Sequence, residues 1–253
     1  MSNYEYLQWL NEIAGRSYCD MTQYPVLPWM FVSSSEHLEE DPKNFMRSYR
    51  DLGKNMGLQG DAERIKYFMD KYNNLDDEHL FNEYHFGTHY SSSAIIFNFL
   101  VRVRPYSIGA LTLQSGKFDV ADRLFWSYWG SWNNATTSPT DLRELIPEVY
   151  TLPEMFINKN NYDYGSTQDK IAIDNVRLPA WANEDPYRFV AELRTRLESQ
   201  YVSDSINQWI DLIYGYKQRG KDAVENTNIF YPLTYENCID LSKVDDPNEK
   251  ESF

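Results

Sequence analysis

Apolar positions at the start of the chain follow helical spacing. Leu7, Leu10 and Ala14 form one stripe, and Ser2 and Glu5 stand at capping-box separation, so a helix is predicted over residues 3–14. The pattern then breaks. Ala14 to Trp29 (AGRSYCDMTQYPVLPW) is rich in aromatic and apolar residues, yet Pro25 and Pro28 prevent a continuous helix and no alternation marks a strand. A segment too apolar for a surface loop and too irregular for an element implies a core built partly from extended, non-repeating backbone. Such backbone needs hydrogen-bond partners inside the protein, and Arg16, Ser17, Asp20, Thr22 and Gln23 are placed to supply them. A second irregular apolar stretch runs from Leu145 to Ile157, broken by Pro147 and Pro153.

Around these stretches the periodicity is helical. Asp61 is positioned to cap a helix burying Ile65, Phe68 and Tyr72. Thr88 or Ser91 opens another, with Ile95, Ile96, Phe99, Leu100 and Val103 on one side and Pro105 as its stop. Residues 117–132 read as a helix with Phe118, Ala121, Leu124, Phe125, Tyr128 and Trp132 inward, and 133–140 as a turn-rich loop. Ile171, Ile173 and Val176 suit one short strand. Asp185 and Pro186 start a helix burying Phe189, Val190, Leu193 and Leu197. A last helix spans about 200–214, with Gly215 as its C′ residue. Residues 33–44 read as a polar surface loop and 242–253 as an acidic, flexible tail. No repeat or heptad array is present. The expected fold is mainly α, with irregular core segments wrapped by helices and little strand.

Composition narrows the function. A chain of 253 residues can bury one large core, and its 20 Tyr and 7 Trp make that core ring-rich, with OH and NH groups that need partners. A net charge of −14 repels phosphate backbones and anionic headgroups, which argues against nucleic acid and against direct electrostatic membrane binding. Cys19 and Cys238 lack CxxC neighbours and suit a reducing compartment, with a single disulfide left open. No secretory signal or long apolar run is visible, so the expectation is a cytoplasmic protein, or one peripheral on a cytosolic membrane face.

Candidate chemistry is sparse. His85 and His89 are four residues apart beside Glu83, a possible metal pair, but Gly87 lies between them and no HExxH exists; the preferred reading is structural. Ser91, Ser92 and Ser93 follow His89 without a GxSxG elbow. Gly53, Gly57 and Gly60 near Lys54 fit neither nucleotide motif. No catalytic, cofactor-binding or metal-ligating residue is assigned. Arg47, Arg50 and Lys54 form a basic island on an acidic chain, read either as a solvated patch or as a docking surface for an acidic partner. Trp126, Trp129 and Trp132 read as core and interface packing. Glu144 and Glu148 are expected to pair with Arg143 or Arg16.

Several motifs carry a resemblance. Residues 14–29 resemble the BEACH-domain opening AGRSYNDLxQYPVFPW, with Cys19, Met21 and Leu27 as departures. RDLGKNMG at 50–57 resembles RDLSKPMG, departing at Gly53 and Asn55, and GTHYSS at 87–92 matches. LQSG at 113–116 departs from LQGG at Ser115. In order follow ELIPE at 144–148, LPAWA at 178–182, LES at 197–199, WIDLIYG at 209–215, YKQRG at 216–220 and LTYE at 233–236. The resemblance covers about residues 2–241, giving an expected BEACH domain at 1–241 and a tail at 242–253. The family's closing FGQTPxQLF is absent, so a helix or edge of the module is expected to be missing. The resemblance implies extended peptide wrapped by helices and no enzymatic reaction. It implies a scaffold in vesicle traffic, with lysosomal, endosomal or autophagic settings. It also implies a neighbouring pleckstrin-homology-like domain that packs on the module and leaves a groove for protein partners, and a WD-repeat propeller beyond. Membrane association would then be indirect. A phosphoinositide-binding module using the basic island, and a hydrolase with an unrecognised site, are the alternatives.

Overall fold

The computed structural model describes residues 1–30, 49–59, 62–75, 83–235, 242, 244 and 246–252. Its α-helices are α1 (Asn3–Ile13), α2 (Ala62–Asn73), α3 (Ser93–Phe99), α4 (Tyr106–Leu113), α5 (Tyr128–Thr137), α6 (Pro186–Leu197), α7 (Gln200–Ile213), α8 (Gly220–Glu225) and α9 (Pro247–Ser252). Among the described residues no sheet forms; isolated bridges such as Leu27 to Leu145 are the nearest approach to one. The fold is mainly α with long irregular segments, as the sequence predicts.

The best-patterned helices form where expected. Ser2 and Glu5 make the capping box of α1. The Asp185 side chain accepts from the Tyr187 and Arg188 amides at the start of α6, with Pro186 in the first turn. Ser199 caps α7 through the Val202 amide. The α1 start is pinned to the α6 end: the Glu198 carboxylate accepts the Asn3 and Tyr4 amides at 2.6 and 3.1 Å, and the Arg194 guanidinium lies 3.5 Å from the Tyr4 ring centre. Acceptors there complete the exposed N–H groups of a helix start.

The two irregular apolar stretches meet in the core. Leu27 and Leu145 exchange both backbone hydrogen bonds, at 2.8 and 3.1 Å. Tyr24, Leu27, Trp29, Leu145, Ile146, Val149, Tyr150 and Phe156 are all buried. The Trp29 ring packs against Phe99, Tyr128 and Trp132, with centroids 5.1–6.2 Å apart. Irregular backbone can sit in such a core only because side chains satisfy it. The Asn11 amide accepts from the Val26 N–H and donates to the Val26 carbonyl. The Tyr150 hydroxyl donates to Pro28, and Glu144 accepts from the Trp29 amide. The residues expected for this task do less: Arg16 donates to the Tyr24 carbonyl, while Ser17 and Asp20 stabilise exposed local turns.

Several expectations are corrected. Residues 117–132 are not one helix. The chain is irregular around a 3-10 turn at Ala121–Arg123, and α5 then runs on to Thr137 through the stretch predicted as a loop, burying Ala135. The Ser127 hydroxyl accepts the Gly130 amide and so starts the helix there. Pro105 begins α4 rather than closing α3, which starts at Ser93 and ends at Phe99. Ile171 to Val176 make no strand; bridges at Ser166–Ala172 and Ser127–Arg177 are all that forms, and the Thr167 hydroxyl accepts the Ile171 amide instead. Gly215 does follow the α7 C-cap, but with φ −101°, not left-handed. Its need for glycine is steric, since a Cβ would lie 2.7 Å from Asp211 Cα. Within 242–253, Val244 is buried and α9 forms. Asp61, the 33–44 loop and Cys238 lie outside the described residues; Cys19 is exposed and free.

A smaller core surrounds Val101, Ala121, Leu124, Tyr164 and Ile173. Arg102 lies beside it, 2 % exposed, donating to the Asp174 and Phe125 carbonyls with its charge over the Tyr164 ring. Three contacts to carbonyls and a ring face let a buried guanidinium tie the turn after α3 to the irregular 160–176 stretch.

Candidate docking groove

The basic island does not assemble as an exposed cluster. Arg50 is 2 % exposed and donates twice to Glu144, both at 2.7 Å. A guanidinium enclosed in that way cannot reach across a surface to a partner. Lys54 is exposed and pairs with Asp51 at 3.4 Å, and Arg47 lies outside the described residues. Glu144 therefore pairs with Arg50, not Arg143 or Arg16. Arg143 pairs with Asp141, and Glu148 accepts from the Tyr24 hydroxyl. Gly57 belongs to packing rather than to a phosphate loop: a Cβ there would meet the Phe86 ring at 2.5 Å.

The histidines are not a metal pair on a helix, because the backbone from 83 to 92 is irregular. His85 is buried, stacked on Tyr72, and accepts the Ile229 amide through Nδ1. His89 turns Nδ1 to the Ser91 backbone, while the Ser91 hydroxyl accepts from Arg16. No imidazole holds that hydroxyl as a base would. Among the described residues, no group of three or more His, Cys, Asp and Glu gathers as a metal set. Trp132 is half-buried against Trp29, Trp126 stacks under Arg177 and Trp129 is exposed.

Both imidazoles are held near pKa 4. Burial is the main cause for each; the Lys71 charge adds to it at His85, and the Ser91 backbone partly offsets it at His89. The unfolded chain therefore takes up protons below pH 6.5 that the folded chain refuses. Stability present above pH 6.5 is lost as pH falls through about 4. Unfolding temperatures measured across that window should fall less steeply for His85→Phe than for the parent; parallel profiles would show that the ring does not contribute.

What the fold does build is a groove of about 600 Å³. The end of α1 lines it with Leu10, Ile13 and Ala14, and the opening signature adds Arg16, Thr22 and Gln23. His89, Tyr90 and Ser91 come from the GTHYSS stretch. Ile210, Leu212, Ile213 and Tyr214 come from the end of α7, Gln218 and Arg219 from the next turn, and Phe230, Thr234 and Tyr235 from the LTYE region. His89, Tyr90, Phe230 and Tyr235 form a contiguous ring cluster, with centroids 4.1–6.5 Å apart. The shape is braced from behind. Tyr214 donates to Asn11 at 2.7 Å, and Asn228 ties the Leu212 and Lys217 carbonyls to Asn55. Burial raises the Tyr214 phenol well above the ordinary tyrosine value, so it serves as a hydrogen-bond donor to Asn11. Sequence reading missed Asn11, Asn55 and Asn228. Asn11 alone left a signal, an amide four residues after Leu7 on the inward face of α1.

Five of the stretches that carry the resemblance thus converge on one concavity. A family model of the Beige/BEACH domain matches residues 1–253. The chain belongs to the BEACH family. It is 44 % identical over 252 residues to the BEACH domain-containing protein lvsD of Dictyostelium discoideum, covering 100 % of this chain and 8 % of that protein. BEACH domain-containing protein B of Arabidopsis thaliana is 44 % identical over 97 % of this chain and 9 % of its own length. A putative neurobeachin homolog of Caenorhabditis elegans is 43 % identical over 98 % of this chain and 10 % of its own length. The BEACH chain therefore spans about a tenth of these curated relatives. No helix among its described residues is long and apolar enough to cross a membrane.

Proposed function

We propose that this BEACH chain is a docking scaffold without a reaction of its own, binding protein partners through the α1–α7 groove. The observation that carries this reading is the convergence of separate signature stretches on one aromatic concavity braced by buried amides. A concave surface that sets aromatic rings among fixed polar groups can both bury and orient a bound segment. The BEACH resemblance supports a setting in vesicle traffic, with endosomal, lysosomal or autophagic membranes reached through partners. A pleckstrin-homology-like domain in cis is part of the same proposal. The exposed Trp9 on α1, with Tyr6 and Tyr18 beside it, offers apolar area for a neighbour outside the groove.

The test is capture from cytosol by the parent chain and by Ile13→Asp. Ile13 is 73 % exposed and lines the groove, so its replacement leaves the core intact. A stoichiometric partner held by the parent and by Lys54→Glu, but lost by Ile13→Asp, is the expected result. Equal capture by all three would move docking away from the groove.

A further inference from the structure

Resting on the docking reading, we propose that the groove selects an acidic peptide segment, with its carboxylates held by Arg16 and Arg219. The chain carries 38 Asp and Glu against 24 Lys and Arg, so a concavity on it is expected to present carboxylates. This groove presents none among its described lining residues, yet it presents two guanidiniums. The other large cavity, about 610 Å³, shows the contrast. Asp119, Asp122 and Asp141 line it, and its two arginines are neutralised, Arg123 by Asp119 at 2.8 Å and Arg143 by Asp141 at 2.5 Å.

Arg16 is fixed without being neutralised. It donates to the Tyr24 carbonyl at 2.8 Å and the Ser91 hydroxyl at 3.1 Å, and reaches the Tyr90 hydroxyl at 3.5 Å. All three acceptors are uncharged, and together they occupy fewer donors than a guanidinium's five N–H groups. Arg219, exposed at the start of α8, has no ion-pair partner among the described residues. The two cations line a wall that also holds Ile213, Phe230 and Tyr235, so a carboxylate bound there would make charge-assisted hydrogen bonds beside apolar area. His89, held neutral, adds no charge, so the arginines set the sign of the ligand. A segment alternating Asp or Glu with apolar side chains would place the former on Arg16 and Arg219 and the latter on Phe230 and Tyr235.

The test uses a displayed library of random peptides, selected in parallel on the parent chain, on Arg219→Glu and on Tyr235→Ala, with circular dichroism confirming that each is folded. Peptides enriched on the parent should carry Asp or Glu beside an apolar residue. Each should bind Arg219→Glu about tenfold or more weakly, the loss of one charge-assisted contact. Their affinity should also fall with salt. Enriched peptides that need Tyr235 but are indifferent to Arg219 and to Asp/Glu-to-Asn/Gln replacement would overturn the acidic ligand while keeping the docking groove. Peptides indifferent to both variants, or no enrichment at all, would overturn both.

Discussion

Arg50→Ala should be among the most destabilising substitutions in this chain, costing about 3–5 kcal/mol. Arg50 and Glu144 have side-chain exposures of 0 % and 1 %, and Glu144 is a hub rather than half of a simple pair. Its oxygens take two bonds from Arg50, one from the Trp29 amide at 3.0 Å and one from Trp209 Nε1 at 3.2 Å. One carboxylate thus joins the opening signature, the segment around residue 50 and helix α7. Removing the guanidinium leaves a buried charge with two neutral donors, which is where the cost arises. The measurement is a urea midpoint at unchanged slope. Arg50→Met combined with Glu144→Gln removes both charges while an amide oxygen still accepts from Trp29 or Trp209, so the pair should cost less than the sum of its singles. Additive costs would show that the two groups do not act together. Lys54→Ala is the contrast: its exposed pair with Asp51 contributes about 1 kcal/mol or less.

Asn11→Leu is the second large effect. The size of the side chain is kept, but the Val26 N–H and C=O are stranded in the core. At about 1–3 kcal/mol for each buried unsatisfied group, the loss is about 2–6 kcal/mol. Tyr214 also loses its acceptor, so the groove wall it belongs to should loosen and peptide affinity should fall even under conditions where the variant is fully folded. Tyr214→Phe separates the two effects, because it releases the wall without touching the Val26 backbone. If Asn11→Leu unfolds no more easily than Tyr214→Phe, the amide is not carrying the irregular backbone.

How much of this was legible depended on whether the determining partner is local. Helices α1, α6 and α7 announce themselves because caps and apolar stripes lie within a few residues of one another. The segment from 105 to 137 does not. Proline reads as a stop, although the first turn of a helix tolerates it equally well, and α4 leaves Ile108 and Leu113 exposed, so no buried stripe marks it. The Ser127 cap then resets the helical register where a sequence period suggested continuity. The irregular stretch itself was visible from its prolines and apolar content, but its partners were not, because Glu144 and Tyr150 lie 115 and 122 residues from the backbone they satisfy. The burial of Arg50 was hidden for the same reason: nothing near it in sequence shows that a carboxylate 94 residues away encloses it. The groove likewise exists only after α1, α7 and the LTYE region are brought together.

The Leu27–Leu145 pairing sets an order of events during synthesis. The opening signature leaves the ribosome long before the residues that complete its backbone bonding exist. At ordinary elongation rates the delay is on the order of ten seconds. During that interval Tyr24, Val26, Leu27 and Trp29 lack the partners that bury them in the finished fold, and the nascent chain holds them as unpaired apolar backbone. The chain is therefore built for late closure: the backbone bonds of Leu27 wait for Leu145, and the Glu144 hub waits for Trp209 on α7.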